Sequence, residues 1–320
     1  MSASEIGAGA IARLEPLVAA YPFKAYRNYR ALSRRRQDDV QRAELESGLV
    51  HAGGFGLIDG EPARAAAVVR PLPWDSAFFE LPMARITLVH DGSQGRDALR
   101  SLVAAACDAS RARGIRHLSA RVDVADAEAI QALEDSGFRM MDALATYIYP
   151  LKRPAPEPGK DMGVLRLYQP EDREQILEIT REAYRGFRGR YHLDPHLPEA
   201  RSDDLYVEWA RKSCDGEWAD VVLVTENGRG ELHGWASYRQ IEPVSTIGGT
   251  PIRGGGLGAC RRDKPGAYAG LLRAATIRIH GGGAITEMQT QIFNFATIRL
   301  YESVDTQFVR ADYTLHAWLG

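Results

Sequence analysis

Tyr301 is the side chain in this sequence best suited to giving up a proton during a reaction. A phenol ionises near about 10 and a thiol near about 8.5, so a tyrosine can protonate a departing thiolate. Its setting supports that use. Residues 289–293 alternate like a strand, the pattern breaks at Asn294, and Ile298 and Tyr301 then fall at helical spacing on one face. Asn294 is a good N-cap for that helix, and Glu287, just upstream, offers a carboxylate to accept a proton. A second constellation is the basic run Arg261, Arg262 and Lys264 ahead of Gly266, Ala267 and Tyr268, where a strand turns into a helix. Free N–H groups at a helix start, joined by guanidinium and ammonium groups, attract an anion. The strand before this turn holds Gly254, Gly255, Gly256, Leu257, Gly258 and Ala259. Such a glycine-rich strand suits a bulge or a departure from its neighbour, and it can aim a main-chain amide at a developing oxyanion. A third group, Arg188, Arg190, Tyr191 and His192, offers cationic and stacking side chains fit for a nucleotide diphosphate or another anion.

These groups need a scaffold, and hydrophobic spacing supplies its outline. The pattern predicts strands over 53–58, 63–69, 84–89, 117–122 and 138–151, with helices over 96–113 and 125–135. A charged helical region precedes residue 47, and Asp59-Gly60 marks a hairpin. Residues 152–163 form a proline-rich linker. Beyond it come a strand over 164–167, helices over 175–184 and 203–212, strands over 221–225 and 232–239, a strand ending at Cys260 and a helix over 268–280. Shifting the chain by 168 positions lays Asp126 on Asn294 and Asp59 on Asn227 without a gap. The pattern therefore predicts two copies of one α/β unit, over 1–151 and 164–320. The first copy has Leu133 where the second has Tyr301, and the turn after Ser93 lacks a usable glycine cradle, so the second copy is the equipped one.

The strand, its breaking Asn294 and the following Tyr301 resemble the GCN5-related N-acetyltransferases, the GNAT superfamily. The resemblance implies an α/β class of tandem GNAT folds, each a mixed, mostly antiparallel sheet flanked by helices. It implies an acetyl-CoA or other acyl-CoA site formed by Leu257, Gly258, Ala259, Arg261, Arg262, Lys264, Gly266, Ala267, Tyr268 and Asn294, with Tyr301 as general acid. The superfamily's phosphate turn reads Gln or Arg, two residues, Gly, one residue, then Gly or Ala. Here Asp263 stands in the first place and Tyr268 in the last. Residues 72–79 and 312–319 resemble the sugar-amine branch, the TDP-fucosamine acetyltransferases. In that branch a carboxylate after a Gly-Phe pair serves the amine, which lands on Asp142 after Gly137 and Phe138. The branch also implies that Arg188, Arg190, Tyr191 and His192 shape the acceptor pocket. The implied reaction moves an acyl group to a primary amine of a small molecule, a nucleotide-linked amino sugar among the candidates. A Fem-type transferase using aminoacyl-tRNA and a non-catalytic binding module are the alternatives.

Composition sets the outer limits. A net charge of −2 over 320 residues gives no electrostatic footprint for nucleic acid, so no DNA partner is expected. No apolar run approaches the roughly 20 residues needed to span a bilayer, and the N-terminus lacks a basic stretch followed by an apolar one. The expectation is a cytoplasmic enzyme with a small-molecule amine partner, no membrane partner and a homodimer possible. Cys107, Cys214 and Cys260 have no paired spacing, so no disulfide framework or metal site is expected.

Overall fold

The computed structural model describes residues 3–93, 95–157, 164–264 and 266–320. The chain forms two compact units, Met1–Leu144 with Arg310–Gly320, and Ala145–Val309. These limits differ from the expected 1–151 and 164–320, because the last strand adds its apolar residues to the first unit. Residues 158–163 of the expected linker lie outside the described residues.

The first unit runs β1 (Ser4–Ile6), α1 (Glu15–Ala20), α2 (Arg34–Val50), β2 (Phe55–Asp59), β3 (Ala65–Pro71), α3 (Pro73–Phe79), β4 (Met83–His90), α4 (Arg96–Ala112), β5 (His117–Asp123) and α5 (Ala127–Asp135). Its sheet order is β1-β2-β3-β4-β5-β12, where β12 (Gln307–Trp318) is the final strand. β3 shows why two helical layers form. Ala65, Ala67 and Val69 join the core with residues of α4 and α5, while Ala66 and Val68 join the core with residues of α1 and α2. A strand covered on both faces reads as a continuous apolar run because the side chains alternate between faces. β12 pairs antiparallel with β5 from Asp312↔Asp123 to Trp318↔His117. Leu315, Ala317 and Leu319 enter the same core as Leu118 and Leu133.

The second unit takes its part of β6 (Arg139–Tyr149), then β7 (Val164–Leu167), α6 (Arg173–Tyr184), α7 (Glu199–Cys214), β8 (Val221–Glu226), β9 (Leu232–Gln240), α8 (Val244–Gly248), β10 (Ile252–Cys260), α9 (Gly266–Gly281), β11 (Ile285–Gln291) and α10 (Phe295–Ser303). Its strand order is β6-β11-β10-β9-β8-β7. Leu271, Ala275 and Ile279 of α9 pack on Leu223, Ala236 and Tyr238 of the sheet. The shift of 168 holds in three dimensions: β5, α5 and β6 start 168 positions before β11, α10 and β12. Both copied helices are capped alike, Asp126 accepting from the Ala129 amide and Asn294 from the Thr297 amide. β1, α3 and α8 were not predicted; each is seven residues or shorter and carries little periodic signal. Among the described residues no helix is long and apolar enough to cross a membrane.

Candidate active site

The site grows from one irregular strand. β10 pairs parallel with β11 from Ile252↔Ile285 to Gly254↔Glu287, and there the pairing ends although both strands run on. On its other edge β10 slips register against β9 between Gly255 and Gly258, so Gly256 and Leu257 together oppose Ser237. The Leu257 amide donates to Ser237 Oγ at 2.9 Å, and that hydroxyl donates to the Leu257 carbonyl at 3.0 Å. The glycine run accommodates a bulge facing β9, and on the other edge β10 and β11 part as an open fork, as β4 and β5 of the first unit also do after Ile86↔Ala120. In the first unit the equivalent β3–β4 ladder runs unbroken from Ala65↔His90 to Pro71↔Ala84. That ladder has no counterpart of the bulge.

Tyr301 lies on α10 beside the fork. Its ring is 3% exposed and packs edge-on against Tyr147, with Leu272 and Met288 in the same cluster. Its hydroxyl donates to the Gln289 carbonyl at 3.0 Å, on β11 beyond the last β10 pair. Burial, followed by the phenols of Tyr268 and Tyr238, holds Tyr301 well above the usual phenol range. It therefore stays a neutral O–H donor, the state a general acid needs. Burial likewise raises the Cys260 thiol at the end of β10.

Glu287 is buried at the vertex of the fork, opposite Gly254, and Gln289 Nε2 donates to its carboxylate at 3.4 Å. Asp142 is also buried, on the portion of β6 that belongs to the first unit rather than on an exposed loop. Asn294 uses its side-chain oxygen as the cap of α10 and donates from Nδ2 to Thr290 Oγ1 at 3.1 Å. Ile292, Phe293 and Phe295 around it are exposed and form an apolar lip.

The anion turn is only partly as expected. Arg261 donates from Nε to the Leu232 carbonyl at 2.8 Å and lies 3.6 Å from Glu178, and Arg262 lies 3.7 Å from Glu182. Both guanidinium groups are thus drawn back toward α6 and β9. Lys264 remains exposed at the turn, 3.6 Å from Asp263. Pro265 lies outside the described residues. Gly266 opens α9 with empty space where a side chain would stand, and the Ala267 amide donates to the Lys264 carbonyl at 3.0 Å.

The acceptor loop is a built structure. His192 Nε2 meets Asp203 Oδ1 at 2.9 Å, and the same oxygen accepts the Gly186 amide at 2.8 Å. The histidine ring stacks on Tyr206, which stacks on Tyr184 at 4.4 Å. Tyr191 is buried under Arg190, whose guanidinium stands 4.4 Å above its ring, and Arg188 is exposed. Of the four, Tyr191 and His192 hold the loop's shape. Sequence reading missed Tyr184 and Tyr238. Tyr184 ends α6 and donates to the Gly258 carbonyl at 2.9 Å, and a side chain at Gly255 would stand 3.7 Å from the Tyr238 ring. Four glycines in one short strand were the available signal, since they mark a backbone closely approached by its neighbours, Ile241 at Gly254, Ser237 at Gly256 and Tyr268 at Gly258.

The first unit closes the end of β4 with a buried ring. His90 Nε2 lies 2.9 Å from Asp126 Oδ1, and Tyr21 and Phe23 pack on the imidazole. At the turn before α4, Asp91 accepts the Ser93 amide and hydroxyl at 2.8 and 2.6 Å. Its partial burial is outweighed by those bonds, which keep the carboxyl below its ordinary range. The turn before α4 therefore carries an anionic carboxylate.

Strand, two helices, antiparallel strands, then helix, strand and helix around a forked and bulged sheet define the GNAT fold, and solved structures share it. The chain resembles a GCN5-related N-acetyltransferase from Sphaerobacter thermophilus with a TM-score of 0.63 and 14% identity, covering 99% of this chain and 95% of that one. It also resembles a tandem GNAT protein from the clavulanic acid biosynthesis pathway, with a TM-score of 0.55 and 14% identity over 100% of this chain and 98% of that one. In sequence it is 26% identical over 152 residues to the spore coat polysaccharide biosynthesis protein SpsD of Bacillus subtilis, a stretch spanning 48% of this chain and 50% of that protein. No protein-family model matches the chain.

Proposed function

We propose that the chain is an N-acyltransferase whose second unit carries an acyl group from an acyl-CoA, acetyl-CoA in the simplest case, to a primary amine on a small molecule. The observation that carries this reading is the Tyr301 hydroxyl held at the mouth of an unpaired β10–β11 fork next to a bulged strand. Past Gly254 the two strand edges face each other without pairing, which suits an amide-bearing pantetheine arm lying between them. Lys264 and the main-chain N–H groups that open α9 at Gly266 are the groups left to meet its phosphates. The acyl-CoA supplies an activated thioester carbonyl. Glu287 takes the proton that frees the amine, the amine nitrogen bonds to the carbonyl carbon, the C–S bond breaks as Tyr301 gives its proton to sulfur, and the second proton shed by the nitrogen restores the Tyr301 phenol. Amide and thiol are the products, and the enzyme forms no covalent intermediate.

For the acceptor we propose a nucleotide-linked amino sugar. Exposed Arg188 and half-buried Arg190 lie on the loop between α6 and α7, and the relative SpsD is named for polysaccharide biosynthesis. The setting is cytoplasmic, and the first unit serves as a platform without chemistry of its own. The test is thiol release from acetyl-CoA across a panel of primary amines that includes free and nucleotide-linked amino sugars. Release that depends on the amine and collapses in Tyr301→Phe is expected; release from none of them contradicts the reading.

A further inference from the structure

Two phenol side chains crowd the fork in this structure. Tyr268 sits in the first turn of α9, half-buried, and a Cβ at Gly258 would lie 2.9 Å from its Cε2. Gly258 is therefore the residue whose missing side chain makes room for the ring. The Tyr268 hydroxyl meets that of Tyr301, and Tyr301 in turn reaches the Gln289 carbonyl on β11. The two phenols together link the Gly258 face of β10 to the Gln289 carbonyl of β11, beside the gap that opens after Gly254 and Glu287. Tyr184, on the Gly258 carbonyl, closes another side.

The surroundings allow the ring to leave. Gly266 is exposed, Ala267 and Ala269 are half-buried, and the buried stripe of α9 begins at Gly270. Tyr268 thus stands on the least packed part of the helix, where rotation about its own side-chain bonds can carry the ring away without moving the main chain of the turn. Small neighbours, Gly258 and Ala236, line the strand side.

We propose that Tyr268 gates the donor slot: its ring stands where the thioester arm would lie along β10 and must swing out before an acyl-CoA can seat. This rests on the acyl-CoA reading above. A protein whose competent state is a minority binds with an affinity lowered by that fraction. Shortening the gate should remove the penalty for a ligand that threads the fork and leave unchanged a ligand that stops at the phosphate turn.

The experiment is calorimetric titration of the full chain and Tyr268→Ala with acetyl-CoA and with adenosine 3′,5′-bisphosphate, which lacks the pantetheine arm. Tyr268→Leu is run beside them as a variant that keeps more packing, and thermal unfolding establishes that each protein is folded. The gate predicts acetyl-CoA binding tightened by about tenfold in Tyr268→Ala, the gain expected when the open state is about a tenth of the population, with the same direction in Tyr268→Leu. The bisphosphate affinity stays as in the unaltered chain. Acetyl-CoA binding that is unchanged or weakened in folded variants overturns the gate and leaves the acyl-CoA reading standing. Equal changes for both ligands also overturn it, because the effect then lies in the phosphate turn. Failure of acetyl-CoA to bind either the unaltered chain or the variants overturns the acyl-CoA reading, and the gate with it.

Discussion

The Tyr301 hydroxyl has two jobs that a mutation separates. It satisfies the Gln289 carbonyl, and in the proposed reaction it protonates sulfur. Tyr301→Phe should lower kcat by about a hundredfold or more, the scale of general acid catalysis, with KM nearly constant because the lost interaction is made in the transition state. It should also cost about 1 kcal/mol of stability for the orphaned carbonyl. Single-turnover rates and urea melts read the two effects separately, and an unchanged chemical rate removes Tyr301 from the mechanism. Glu287→Gln should lower kcat/KM by about a hundredfold while leaving acetyl-CoA affinity as it was. The raised phenols also have a pH signature. Tyr184, Tyr238, Tyr268 and Tyr301 are all pushed up in the folded chain, burial being the first cause of each. Their contribution to stability is complete below the unfolded value of about 10 and is lost as pH rises above it, since the unfolded chain then releases protons that the folded chain keeps. Urea midpoints from pH 8 to 11 should fall steeply at the alkaline end, and less so in Tyr238→Phe.

Among elements, β10 decides where chemistry is possible, and the first unit shows what its absence means. The matching strand β4 has no register break against β3, and it ends in a buried histidine, His90, held by Asp126. Gly258→Ala would bring a Cβ within 2.9 Å of the Tyr268 ring, 3.2 Å of Ala236 Cβ and 3.2 Å of the Trp235 carbonyl. We expect a loss of about 1 to 3 kcal/mol, the usual cost of overpacking, measured from the urea midpoint. This element was largely legible in the sequence, because glycines at 254, 255, 256 and 258 speak directly of backbone geometry. Asn294 and Tyr301 were legible for the same reason, as a cap and a helical spacing are local signals. The phosphate turn was not. Whether Arg261 and Arg262 face a ligand or fold back on Glu178 and Glu182 is settled by α6, a long-range neighbour that the local sequence cannot reveal.

At the scale of the whole molecule, the internal repeat was readable because the shift of 168 keeps strand and helix signals in phase, but the destination of the last strand was not. Strand periodicity gives a buried face and says nothing of which edge the strand joins. Deleting residues 310–320 should therefore unfold the first unit, which loses the β5 partner and the core residues Leu315, Ala317 and Leu319; loss of amide protection in α4 and β5 by hydrogen exchange is the readout. Leu133→Ala, at the counterpart of Tyr301, should cost about 2 to 5 kcal/mol as a core truncation without altering the chemical step in protein that remains folded. The central claim is that the second unit binds an acyl-CoA with its phosphates at the start of α9. Calorimetric titration with acetyl-CoA and free CoA, repeated on Gly266→Glu, tests it most directly, since nothing stands within 4 Å of a side chain at that position and the variant should fold. Micromolar binding that disappears when the carboxylate is introduced is the predicted result. No binding to the unaltered folded chain, or binding indifferent to Gly266→Glu, would contradict it.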